Sequence, residues 1–154
     1  MSLNIVRCID CHVAFKEDGD YKLLALETSR DKKIYPNIWQ CVTGKINANE
    51  KPDEAAIREL EEETGIKSET MYVIDEVSFY YEAAYDRMNI IPIFGVLASS
   101  KKIRLSDEHQ SYRWIKYNEI SNTFLWNKQK DGAVSFYNML TEEKEKLNFC
   151  KVKY

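Results

Sequence analysis

The residues best able to do chemistry lie in the stretch Arg58-Glu59-Leu60-Glu61-Glu62-Glu63-Thr64-Gly65-Ile66. On a helix, Glu59 stands three and four residues before Glu62 and Glu63, so the three carboxylates lie one turn apart and repel one another in water. One reading is a solvated acidic face, which is common on soluble helices. The other is a seat for a hard divalent cation such as Mg2+, which prefers oxygen ligands and takes carboxylates together with water and substrate phosphate.

A helix has to hold these groups, and the sequence marks its ends as Pro52 and Thr64. Proline suits the first turn, where its missing N–H is not needed, and Gly65 suits the left-handed position just past the end. With about 100° of rotation per residue, Ala56, Ile57, Leu60 and Thr64 form one side that can pack on a sheet, while the glutamates fall on another.

The spacing reaches beyond the helix. Gly44, five residues, Glu50, seven residues and then Arg58 to Ile66 fills every fixed position of the Nudix box, and the chain therefore resembles the Nudix hydrolases. That resemblance implies an α/β fold, a mixed β-sheet sandwiched between α-helices. It also implies a Mg2+-dependent hydrolase, with Mn2+ as a substitute, in which water attacks a phosphoanhydride bond of a nucleoside-diphosphate-linked substrate without a covalent protein intermediate. Glu59, Glu62, Glu63 and the carbonyl of Gly44 would be metal ligands, Arg58 and Glu50 would orient the ligand carboxylates, and Leu60 and Ile66 would pack. No nucleophilic-serine elbow, no Gly-Lys-Ser or Gly-Lys-Thr phosphate loop and no pair of histidines at metal spacing competes with this reading.

Members of the family often take another acidic ligand or base from a loop outside the box. Ser106-Asp107-Glu108-His109 is the candidate here, with Glu108 preferred as ligand or base, Asp107 as the alternative, and an ordinary polar turn as the plain reading. His109 could assist, although a lone histidine is more often structural.

Trp39-Gln40-Cys41-Val42-Thr43-Gly44 resembles the lead-in of the dATP and dihydroneopterin triphosphate pyrophosphohydrolase branch, as do Glu108-His109 before Tyr112-Arg113-Trp114, and Trp126 with Asn127. The resemblance points to a dATP-like or pterin triphosphate cleaved with release of pyrophosphate. Nucleotide sugars, dinucleoside polyphosphates or oxidised nucleotides are the alternative within the family, and a non-catalytic nucleotide sensor is the alternative outside it. Such sensors usually show a damaged box, and here every catalytic position is filled. For substrate contacts the candidates are Lys45, Arg30 in the basic run with Lys32 and Lys33, Trp39, and Tyr81 beside Tyr80 and Tyr85. Loop solvation and sheet packing are the competing readings for these residues.

The remaining sequence describes the frame. With 154 residues the chain reads as a single domain, 1–154, and its 22 basic against 25 acidic residues give a net charge of -3, which offers no footprint for a large nucleic acid. No apolar run approaches the ~20 residues needed to span a bilayer, and a cytoplasmic location is expected. Cys8 and Cys11 have a redox or zinc spacing but no second pair, and on a strand they point to opposite faces, so a structural role is expected. Strands are predicted over Ile5–Phe15, Tyr21–Leu26, Trp39–Thr43, Met71–Tyr81, Met88–Ala98 and Tyr112–Ile115. A turn is predicted at Asp18-Gly19-Asp20, an edge or bulge at Pro92, and a terminal helix over Gly132–Leu147.

Overall fold

In the computed structural model, which describes residues 3–67 and 70–152, eight strands form one mixed sheet with helices on both faces. In chain order these are β1 (Leu3–Ile5), β2 (Cys8–Glu17), β3 (Asp20–Thr28), β4 (Trp39–Gln40), β5 (Val42–Lys45), α1 (Pro52–Thr64), β6 (Met71–Glu82) and β7 (Arg87–Leu97). They are followed by β8 (His109–Ile115), α2 (Ile120–Thr123), α3 (Asn127–Thr141) and α4 (Glu145–Cys150). The expected α/β architecture is present.

The β2–β3 hairpin closes through Asp18 and Gly19, with φ of 53° and 80°, the left-handed pair that matches strand twist in a two-residue loop. The two strands pair only near that loop, from Ala14 with Leu23 to Glu17 with Asp20. They then separate. Into the gap runs the segment expected as one strand, Trp39–Thr43, which divides at Cys41: β4 pairs with β3 through Leu26 and Gln40, and β5 pairs with β2 through Ile9 and Gly44. Serving two diverging neighbours forces the break. The site is carried at this split.

The first expected strand is likewise two. β1 pairs in parallel with Arg87–Asn89 of β7, and β2 takes over alongside Ile93–Leu97. Pro92 falls between these two registers and lies opposite Val77 of β6. β7 is thus an interior strand, and the proline sits beside an irregularity in its pairing with β6 between Val73 and Val77.

Alternation along the strands sorts the core into two layers. Ile9, Cys11, Leu24, Leu26 and Val42 pack with Ala55, Ala56 and Leu60 of α1 on one face. Ala14, Leu23, Ala25 and Ile93 pack with Ala133, Phe136 and Met139 of α3 on the other. Close approach of α3 needs two glycines, since a Cβ on Gly95 would lie 2.6 Å from Phe136 and one on Gly132 would lie 2.9 Å from His12. The predicted terminal helix is corrected at both ends: α3 starts at Asn127, ends at Thr141, and is followed by the separate α4. Among the described residues no helix is long and apolar enough to cross a membrane.

Candidate active site

The helix α1 has the predicted bounds. Its first backbone N–H groups are served in part by Glu54, whose carboxylate accepts from the Lys51 N–H at 3.0 Å. Gly65 ends it with φ of 74° and an N–H donated to the Glu61 carbonyl. Asp53 and Glu54 complement the positive end of the helix dipole, but the last turn holds no basic residue and carries Glu61, Glu62 and Glu63 against the dipole. Such an arrangement costs stability, so something other than helix stability accounts for it.

Packing turns the three glutamates to different surroundings. The side chain of Glu62 is 58% exposed, whereas Glu59 is 9% and Glu63 2% exposed. A uniformly solvated stripe is therefore not what forms. Glu59 lies against β5 so closely that a Cβ on Gly44 would land on its carboxylate. That contact gives Gly44 its physical reason: only glycine lets strand and carboxylate share this space.

Arg58 ties the cluster together. Its Nε and Nη2 donate to the two oxygens of Glu50 at 2.7 and 2.9 Å, its Nη1 donates to Glu59 at 2.7 Å and Glu62 at 3.3 Å, and Nη2 also donates to the Lys45 carbonyl at 2.8 Å. The fork geometry of a guanidinium is suited to this, and a lysine could not reproduce it. The Arg58 hydrogen bonds hold the Glu50 carboxyl down at about 2. Glu50 is thus a permanent anion that anchors the arginine.

Glu63 is the least satisfied group. Its Oε2 is buried with no hydrogen-bond partner, and its other oxygen accepts from the Thr43 N–H. Burial pushes this carboxyl well above the ordinary carboxylate range, and the charges of Glu59 and Glu108 push it further. Burial raises Glu59 as well, against the pull of Arg58. Glu108 stands exposed in the turn before β8, its carbonyl accepting from the Ser29 N–H at 2.9 Å. Its charge bears on the carboxyls of both Glu59 and Glu63.

An orphaned, buried carboxylate oxygen among further carboxylates fits a divalent cation, which would complete its valence and relieve the repulsion. Among the described residues no three His, Cys, Asp or Glu side chains already converge at ligating distance. Arg58 draws Glu59 and Glu62 to itself, and Mg2+ needs only one or two carboxylates beside phosphate and water. The donor set fits.

Beside this cluster, across β5, lies a cavity of about 530 Å³ between the sheet and the start of α3. Phe79, Tyr80 and Trp126 give it aromatic walls, and Asp10, Gln40 and Gln129 give it polar groups. Thr43 connects the two regions, with its N–H on Glu63 and its side chain on Asp10. Lys32 lines the cavity, and its charge bears on Glu63 and on His109.

The residues expected to meet substrate lie in different places relative to the cavity. Of the basic loop run, Lys32 rather than Arg30 faces the cavity; Arg30 is exposed and its N–H donates to Gln110. Tyr80 lines the cavity, whereas Tyr81 lies outside it with its hydroxyl donated to Asp86 at 2.6 Å. Trp39 also lies outside the cavity lining, its ring covered by the Arg113 guanidinium 4.1 Å away. Lys45 is exposed on the far side of Gly44 from Thr43, and its charge reaches Cys8. Cys8 lines the cavity while Cys11 is in the core under α1, on opposite faces as the strand spacing requires. His109 is buried with both ring nitrogens unpartnered, and burial lowers it to about 4, so it is neutral near pH 7.

Asp10, Gln40, Thr43 and Gln129 also line the cavity, and none of them was among the contacts expected from the sequence. A signal existed for Asp10: an acidic residue inside the apolar run Ile9 to Ala14 is the kind of buried polar group that calls for a reason.

A family model described as the NUDIX domain matches residues 10–136. The chain is 36% identical over 97 residues to a bis(5'-nucleosyl)-tetraphosphatase from Rattus norvegicus, covering 60% of this chain and 65% of that one. It is 27% identical over 123 residues to the nucleoside triphosphatase NudI of Salmonella newport, covering 75% and 85%. An octanoyltransferase from Myxococcus xanthus is 33% identical over 86 residues, 51% of this chain but only 22% of that protein. Among solved structures, the E. coli dihydroneopterin triphosphate pyrophosphohydrolase shares the fold with a TM-score of 0.70 at 18% identity, covering 84% of this chain and 93% of that one. A C. elegans Ap4A hydrolase does so with 0.71 at 22%, covering 88% and 98%. With the box intact on α1 and the family pattern running through most of the sheet, the chain belongs to the Nudix family.

Proposed function

We propose that this protein is a Mg2+-dependent hydrolase that cleaves a phosphoanhydride bond of a nucleoside or pterin triphosphate and releases pyrophosphate. The observation that carries this reading is the buried, unpartnered Glu63 oxygen beside Glu59 and near Glu108, with Arg58 holding the neighbouring carboxylates. Glu59, Glu62, Glu63, the Gly44 carbonyl and Glu108 would hold the cation, with Mn2+ able to substitute. When bound, the ion would neutralise phosphate oxygens and favour deprotonation of the attacking water.

The protein's own part is positional. Arg58 fixes Glu59 and Glu62, Lys32 places a positive charge between cavity and carboxylates where a phosphate chain would pass, and the cavity takes the base. Glu108 serves as ligand or base from the turn before β8. Similarity to the Salmonella nucleoside triphosphatase over most of its length supports a triphosphate substrate. The rat tetraphosphatase similarity supports a second reading, a dinucleoside polyphosphate.

A screen of nucleotides, dinucleoside polyphosphates and pterin triphosphates with Mg2+, scoring phosphate and pyrophosphate separately, tests both. Pyrophosphate from a triphosphate is the expected product. Cleavage confined to dinucleoside polyphosphates, giving two phosphorylated nucleosides, would favour the second reading, and no turnover with any of them would overturn both.

A further inference from the structure

The floor of the cavity holds a charged group that the metal site does not use. Asp10 is 2% exposed and faces the cavity from β2. The side chains of Thr43 and Gln129 stand near it and pull its carboxyl down against burial. Neither service is generous. Thr43 has one hydroxyl proton, and its Oγ1 also stands 3.0 Å from the Ile9 carbonyl as a donor. Gln129 is oriented by the Cys41 N–H, which donates to its Oε1 at 3.2 Å and leaves the amide nitrogen for Asp10.

A carboxylate offers about four acceptor sites, so this one keeps unserved capacity toward the cavity. Burying a carboxylate in that state is costly unless a ligand supplies donors. Two adjacent N–H groups would do so in the bidentate manner carboxylates favour.

We infer that Asp10 reads the ring N–H and adjacent amino group of a 2-amino-4-oxo heterocycle, the edge shared by guanine and the pterins, and thereby sets the base specificity of this cavity. The inference rests on the triphosphate reading and narrows it. Adenine and cytosine place a ring-nitrogen acceptor beside their amino group, which would confront a carboxylate oxygen, and uracil or thymine offers a single N–H between two carbonyls. Only the guanine and pterin edge presents two donors side by side. A cavity of about 530 Å³ admits a bicyclic ring, and Phe79, Tyr80 and Trp126 supply surface for its faces. Lys32 lines the same cavity, and its charge bears on Glu63.

The test is calorimetric binding of GMP, neopterin and AMP to the intact protein and to Asp10→Asn. GMP and neopterin should bind the wild type at least about tenfold more tightly than AMP, because a mismatched buried polar pair costs on the order of one to three kcal/mol. An asparagine amide offers one acceptor beside one donor, which suits adenine, so Asp10→Asn should weaken GMP by about tenfold or more and leave AMP equal or tighter. Equal or tighter binding of AMP by the wild type would overturn the inference without any variant. So would a folded Asp10→Asn that binds GMP as before. None of these ligands requires turnover, so a failed triphosphate screen would count against the proposed reaction and not against the reading of Asp10.

Discussion

Asp10→Asn should make the protein more stable at pH 8 while impairing ligand recognition. Burial pushes the Asp10 carboxyl up from 3.8 to about 6, against the hydrogen bonds of Thr43 and Gln129 that pull it down. A carboxyl raised on folding contributes most below its unfolded value, and the contribution is lost as pH rises through about 6. The difference corresponds to about 3 kcal/mol of destabilisation above pH 7. An amide carries no such penalty at any pH. Urea unfolding followed by tryptophan fluorescence, run at pH 4 and at pH 8, would read the gain as the difference between the two conditions, which cancels any change in hydrogen bonding common to both. The stability of the variant relative to wild type should rise by about 1–3 kcal/mol between pH 4 and pH 8. A pH-independent difference would refute the claim that Asp10 is held ionised at a desolvation cost.

Other consequences follow from the same contacts. Gly44→Ala places a methyl on the Glu59 carboxylate, so turnover should fall by roughly 10²-fold or more in a steady-state assay while circular dichroism stays native. Arg58→Lys cannot span Glu50, Glu59 and Glu62; the Mg2+ concentration for half-maximal activity should rise by about 10–100-fold. Mg2+ should raise the thermal midpoint of the wild type and do so far less for Glu63→Gln, since the orphaned oxygen is then gone. His12 is fully buried with both nitrogens unpartnered, and burial lowers it from 6.5 to about 3. Its unfolded form takes up a proton that the folded form refuses, so stability falls as pH drops from about 6.5 toward 3. His12→Leu should flatten that part of the urea-midpoint profile against pH.

The helix of the site was readable because its determinants are local: a proline start, a glycine end and a period that separates Leu60 from Glu62. The Arg58 and Glu50 pairing was readable only through the box resemblance, since eight residues and a loop lie between them. Burial of Glu59 and Glu63 was not readable, because it depends on how closely β5 crosses the helix, and local periodicity reports an acidic side rather than what covers it. The division of Trp39–Thr43 had the same origin. The start of α3 was hidden by Asn127 to Asp131, a polar stretch whose Gln129 faces a cavity instead of an apolar layer. Tyr81 and Tyr80 alternate on a strand, and which of them faces the cavity depends on the register of β6.

The reaction itself is tested most directly by pyrophosphate release from GTP and from a pterin triphosphate as a function of Mg2+, compared between wild type and Glu62→Gln. Glu62 is exposed and touches the rest of the protein through Arg58, so the substitution leaves the fold in place. Mg2+-dependent pyrophosphate release by the wild type and its loss in the variant are expected. Near wild-type release by folded Glu62→Gln would contradict the assignment of the α1 carboxylates as the metal seat.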